Sequence, residues 1–252
     1  MTTRRPGSTV FAALLIALGI VSLVTSDFAA VWQPVPKAVP ARGALLYLSA
    51  LVSLGSGAGL LFRRTAAPAA RTLLVTLVLW VLVFRVPAIL RAPLTQDPWS
   101  GIGETLVFLA AASALYAQAA SAADRRGRRT AQVLYGLALI PFGSAHFAYL
   151  HETAALVPAW LPLHVPIAGL TGAAFIAAGA AVVAGVCAEW AVVLSTLQMG
   201  LFTVLVWFPI LAAGSRNPFH VSETVLSCAL TISGRVVADS FRAPDPHPAM
   251  AR

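Results

Sequence analysis

The sequence predicts an all-α fold: a polytopic membrane helix bundle of eight transmembrane helices, arranged as two parallel four-helix repeats. Three observations lead there. The chain is 59% hydrophobic and 10% charged, with a mean hydropathy of +0.83, whereas about a quarter of the residues in soluble domains are charged. Apolar stretches near the ~20 residues needed to cross a bilayer fall at 9–26, 43–62, 72–90, 102–119, 131–150, 165–186, 190–211 and 221–238. The second half also replays the first. Val35-Pro36 and Pro40 recur as Val157-Pro158 and Pro162, an interval of 157 − 35 = 122, which also pairs Leu48 with Leu170, Gly57 with Gly179 and Pro87 with Pro209. A slightly shorter step pairs Asp97-Pro98-Trp99 with Asn217-Pro218-Phe219, and Glu104-Thr105 with Glu223-Thr224. Such duplication is a signature of membrane architectures whose sites lie near the interface of the copies.

The first span imitates a secretory signal, with Arg4-Arg5 ahead of an apolar run from Val10 to Val24. Cleavage after Ala30 would put Phe28 at a position that requires a small residue. Span 1 also corresponds to span 5, so it is retained as a membrane helix. The loops after spans 1 and 5 carry Val-Pro-Lys-Ala-Val-Pro and Val-Pro-Ala-Trp-Leu-Pro. Prolines four apart interrupt a helix, and Trp32 and Trp160 place both loops at the outer interface, where tryptophan is favoured. Spans 2 and 6 are rich in glycine (Gly55, Gly57, Gly59; Gly169, Gly172, Gly179, Gly185), which reads as helix packing through small residues. Spans 4 and 8 open with Asp97 and Asn217 as N-caps, each followed by proline at the first helical position.

Of the 17 lysines and arginines, Lys37, Arg42, Arg85, Arg91 and Arg216 fall on one side of the eight-span scheme and the rest on the other. This positive-inside bias places both termini in the cytoplasm, in the cell inner (cytoplasmic) membrane. The Arg125–Arg129 cluster sets topology and meets anionic lipid rather than nucleic acid. Four spans per half return each copy to the face it started from, so the copies are parallel. The predicted units are residues 1–124, residues 125–239 and a disordered cytoplasmic tail, 240–252. Two cysteines, Cys187 and Cys228, exclude a disulfide framework and a Cys-x-x-Cys motif.

Candidate chemistry gathers at one depth near the outer face. Glu104 and Glu223 lie six or seven residues into spans 4 and 8, roughly 9–10 Å inward, where a carboxylate must be paired or wet. They read either as functional groups or as structural ties. Arg85, two residues before Pro87, is placed to reach Glu104, either as a partner or as a snorkelling cation. Its counterpart is Trp207, and His146 and His220 are placed to serve Glu223 instead. His146, His151, His164 and His220 all lie on the outer side, but no Glu-x-x-His or His-x-x-x-His spacing supports a metal. No nucleophile elbow or phosphate-binding glycine loop is present. The candidate ligand-binding set is therefore Glu104, Glu223, Arg85, His146 and His220, with Trp99 and Trp160 packing alongside.

Phe142-Gly143, His146-Phe147, Val157-Pro158, Trp160-Leu161-Pro162, Leu170-Thr171-Gly172 and Ala178-Gly179 resemble the DoxX-like family of small membrane proteins. Leu60-Leu61-Phe62-Arg63-Arg64-Thr65 and the Glu104 span echo it in the first half. Family members are typically four-helix proteins, so this chain resembles a tandem version. The resemblance implies a role in quinone-linked redox metabolism. The expected function is an accessory component of a membrane redox complex that binds a quinone-like or other lipophilic molecule near the outer face. A proton-coupled transporter of small solutes, or an assembly subunit able to form homo-oligomers, are the alternative expectations.

Overall fold

The computed structural model describes residues 6–120 and 124–242. Among them the chain forms helices and turns only, with eight helices long and apolar enough to span a membrane. These are α1 (Pro6–Thr25), α2 (Arg42–Leu60), α3 (Arg63–Arg91), α4 (Gln96–Ala120), α5 (Arg125–Ala148), α6 (His164–Ala184), α7 (Ala188–Ala212) and α8 (Pro218–Asp239). Only Ser240–Arg242 of the expected tail lie within the described residues.

Helix ends differ from expectation where polar residues join a helix that apolar periodicity alone would stop. Helix α3 begins at Arg63 rather than near 72, with Pro68 inside it; Thr65 ties the tight α2–α3 turn by donating to Gly59 O at 2.7 Å. Helix α5 begins at Arg125, so the arginine cluster forms its first turns. Asp124 caps that end by accepting from Gly127 N at 2.8 Å. Arg129 then reaches the end of α6 and donates to Val182 O and Val183 O at 2.9 and 2.6 Å, adding to the Gly185 N–H on Val182 O at an end where carbonyls run out of helical donors. Asn217 caps α8 as expected, accepting from Phe219 N. Asp97 does not cap α4, which already starts at Gln96. The Asp97 carboxylate accepts instead from the Tyr149 hydroxyl.

Helix α4 lies at the centre. In its most apolar window 72% of residues are buried, against 22–44% in the other seven helices. It packs on α3, α5 and α8, while α8 packs on α1, α4 and α7. Ala110, Ala111, Ala112 and Ala114 are fully buried and small enough for several helices to approach. Helices α4 and α8 thus form a spine shared by two apolar cores, one with α1–α3 and the other with α5–α7.

Backbone features recur at the 122-residue interval. Val81–Arg85 and Thr203–Trp207 are both π-helical, and the next residues, Val86 and Phe208, donate five residues back to Val81 O and Thr203 O. Each widened turn directly precedes a proline, Pro87 or Pro209. Proline lacks an N–H and its ring crowds the carbonyl four residues back, and a π turn relieves that crowding. Ala41 and Leu163, just ahead of α2 and α6, both adopt positive φ, 54° and 58°.

The loops between these helices differ. The first folds inward: Phe28, Val31, Trp32 and Val35 are buried, and Trp32 donates from Nε1 to Ser53 Oγ at 2.9 Å. Trp32 therefore does not lie at the outer interface as the sequence predicts; it plugs the α1–α3 bundle. The second loop forms a short helix, Leu150–Ala155, and leaves Trp160 72% exposed.

Close backbone contact makes glycine substitutions informative. A Cβ at Gly143 would lie 2.5 Å from both Gly172 O and Ile176 Cγ1, whereas one at Gly55 would meet nothing within 4 Å. Gly143→Val is expected to destabilise the bundle by ~1–3 kcal/mol, read as a lower melting temperature in detergent. Gly55→Ala is expected to leave it unchanged or slightly raised.

Candidate functional site

Polar side chains collect in two places, one on each side of the spine. The first is built around the end of the α3 π turn, which turns Arg85 into the protein; only 5% of the residue is exposed. Its Nε donates to Thr105 Oγ1 at 2.8 Å, and Nη2 donates to Gln33 O of the inward-folded loop. The Thr105 hydroxyl in turn donates to Gly101 O at 3.1 Å. Gly101 makes room for the guanidinium, because a Cβ there would sit 2.6 Å from Nη1.

Glu104 precedes Thr105 and is half-buried. It lies within electrostatic reach of both Arg85 and Glu223, so packing α4 on α8 brings the two carboxyls towards one another. The ion pairs among the described residues are Arg42–Asp27, Arg235–Asp239 and Arg242–Glu189. Arg85 and Glu104 form none, because Thr105 and Gln33 take the guanidinium. Among the described residues, the side chains of Glu104 and Glu223 make no hydrogen bond.

The second place is a cavity of about 350 Å³ between α5, the 150–161 loop, α6 and α7. Leu156, Val157, Ile167, Leu201 and Leu205 give it apolar walls, while His146, Tyr149, Thr153, Thr171 and Gln198 bring polar atoms. Leu201 and Leu205 are 46% and 38% exposed and lie on α7, one of the helices long and apolar enough to span a membrane. His146 Nδ1 lies 2.8 Å from Phe142 O. A carbonyl only accepts, so Nδ1 carries the proton and a neutral ring keeps Nε2 as an acceptor. The ring stacks on Phe202, 5.7 Å between centroids at 28°, and lies 5.6 Å from Phe175. Gln198 donates from Nε2 to Thr171 O at 3.0 Å and retains its carbonyl oxygen.

Trp207, at the end of the α7 π turn, also lines the cavity. Its ring lies 6.4 Å from His220, whose Nδ1 pairs with Ser215 Oγ at 2.7 Å rather than with Glu223.

The seven sequence-derived candidates therefore do not form one site. His146 lines the cavity; Arg85, Glu104 and Glu223 lie on α3, α4 and α8 instead. His220 is held by Ser215, and Trp160 projects outward. Trp99 is 40% exposed and donates from Nε1 to Pro93 O at 2.9 Å. Thr105, Gln33 and Gln198 complete the two clusters without having been singled out. Thr105 was visible in the repeated Glu-Thr pair, and Gln198 as an amide inside an apolar span. Among the described residues, no group of three or more His, Cys, Asp or Glu is arranged to hold a metal ion.

Compared with family models, curated proteins and solved structures, the chain matches none of them. Its fold defines it as a multi-pass membrane helix bundle.

Two outcomes are expected. Thr105→Ala strands a buried donor of a charged group and should lower stability by ~1.5–3 kcal/mol, visible as a lower melting temperature; Glu104→Gln, which breaks no hydrogen bond, should lower it less. At the rim, the hydrogen bond to Asp97, then burial, then the charges of Asp97 and Glu152 raise the Tyr149 phenol above its ordinary pKa. A raised folded pKa makes the contribution of the phenol to stability complete below the ordinary value of ~10. That contribution disappears as pH rises through the higher folded value. Tyrosinate absorbance during alkaline titration should lose its late component in Tyr149→Phe, and regain an ordinary one in Asp97→Asn.

Proposed function

We propose that this chain is a DoxX-like membrane protein that binds a quinone-like or other lipophilic small molecule in the cavity beside His146, as an accessory component of membrane redox metabolism. The cavity carries the reading. It has the size of a small-molecule site, ~300–1,000 Å³, with mostly apolar walls and a few convergent polar groups. Its walls include Leu201 and Leu205, part-exposed on a membrane-length apolar helix, which favours a ligand arriving through the bilayer. His146 Nε2 and Gln198 Oε1 offer hydrogen bonds to a polar head, while Phe202 and Trp207 pack against it. The arginine bias supports an orientation with both termini cytoplasmic, in the inner membrane. The two copies are read as parallel DoxX-like units, supported by π turns and positive-φ residues that recur at the 122-residue interval.

A second reading, proton-coupled transport of a small solute, draws on Glu104 and Glu223. Both are half-buried, lie on the helices of the shared spine and make no hydrogen bond. Parallel repeats with carboxyls at their interface suit that chemistry.

Protein purified in mild detergent should release a stoichiometric lipophilic compound on extraction, identified by mass spectrometry. His146→Leu combined with Gln198→Leu should reduce retention about tenfold or more, a loss of ~1.4 kcal/mol, while Glu104→Gln with Glu223→Gln should not. An empty wild-type protein that also fails to bind an added short-chain quinone would refute the cavity reading. Proton flux in vesicles on addition of solute, abolished in the double glutamine variant, would favour transport.

A further inference from the structure

The two halves treat the same space differently. Val157, Ala168, Thr171, Phe202, Val206 and Trp207 line the cavity. At the 122-residue interval these positions correspond to Val35, Leu46, Ser49, Trp80, Phe84 and Arg85. Five of the six are buried, with Val35 the most exposed at 7%, and Phe84 packs against the core beside them. Phe28 and Trp32 fill that region, at 3% and 0% exposed. The Trp32 ring meets Trp80 edge-on at 5.0 Å and Phe28 lies 6.0 Å from it. One interval later Trp32 becomes Ala154 and Phe28 becomes Leu150. Where the first half holds two aromatic rings, the second holds aliphatic side chains and has a cavity nearby.

We infer that the ligand of this cavity is a flat aromatic ring system carrying a polar edge, taking the place that the Trp32 indole occupies in the first half. This rests on the reading of the cavity as a lipophilic-ligand site and adds the class of molecule. The ring that receives Trp32 is Trp80, and its counterpart Phe202 turns a ring to the cavity, stacked with His146. Aromatic faces reward flat partners in offset or edge-on contact. The polar partner is replaced as well. In the first half Ser53 accepts the indole N–H. Its counterpart is Phe175, which holds no acceptor but packs on His146. With Nδ1 committed to Phe142 O, Nε2 of His146 is left to meet the polar edge of the ligand.

The competing occupant is the acyl chain of a lipid, which needs apolar walls but no ring. Naphthol and decanol separate the two, because each has ten carbons and one hydroxyl and only naphthol is flat and aromatic. Binding of each to the full chain in detergent would be measured by thermal stabilisation and by native mass spectrometry. Naphthol is expected to bind once per chain and up to roughly tenfold more tightly than decanol, the gain of aromatic contact. Thr153→Trp, which puts an indole at a residue of the Leu150–Ala155 helix that lines the cavity, should abolish binding. Trp32→Ala should open the corresponding space and raise the count to two naphthols per chain.

Equal affinity for naphthol and decanol, with both lost in Thr153→Trp, would overturn the aromatic assignment and leave the cavity as a lipid-chain site. Failure of the wild type to bind either, or binding indifferent to Thr153→Trp, would remove the cavity reading itself. A count of one in a folded Trp32→Ala would refute the correspondence with the first half. Should Thr153→Trp not fold, the naphthol–decanol comparison on the unaltered chain still decides.

Discussion

Lipid tails are as apolar as the side chains of a membrane helix, so no hydrophobic drive pulls one helix onto another once both are inserted. Association then depends on how closely backbones can approach. This chain meets that requirement with alanine in α4 and with glycine in the outer pairs, where Gly57 faces Ala12 O and Gly143 faces Gly172 O. The buried alanines of α4 allow α3, α5 and α8 to gather on one helix. Both apolar cores share that spine. Replacing these small residues with longer side chains would separate the helices and, with them, the groups they position.

A buried arginine is the second constraint. Its charge is costly in a low-dielectric setting unless donors are satisfied. Arg85 finds an oxygen on Thr105 and another on Gln33, which places non-helical backbone of the first loop within the bundle. Irregular backbone is tolerated at such depth when buried in protein, and here it also carries Trp32 into the core. In the second half tryptophan replaces the arginine, so no cation calls a loop carbonyl inward. The loop there winds into the Leu150–Ala155 helix, and the space beneath remains open.

The spans, the packing role of Gly57, Gly59, Gly172 and Gly179 but not of Gly55, Gly169 or Gly185, the proline-bounded loops and the cap at Asn217 were legible in the sequence, because each rests on composition or local spacing. Direction around the helix axis was not. Glu104, Glu223, Arg85 and His146 share a depth, which residue counting gives, but they face different neighbours. The π turns add to this, since one extra residue in a turn rotates everything after it by ~100°. The proline at 87 or 209 hints at such a turn without fixing it. Asp97 misled for a local reason: a carboxylate before proline reads as a cap, yet Tyr149, 52 residues away, supplies its hydrogen bond.

Leu201 and Leu205 wall the cavity, are part-exposed and belong to a helix of membrane-spanning length. On the proposed reading a ligand would be drawn from the bilayer rather than from water, so that its occupancy would follow its mole fraction among the lipids. Each added methylene in a tail favours the membrane by ~0.8 kcal/mol, about fourfold in partitioning. Lengthening the tail therefore raises apparent affinity, judged against the aqueous concentration, without any new contact to the protein. For a ligand of the proposed class, recognition and supply would then separate along the molecule: the head would select the pocket, and the tail would set the dose.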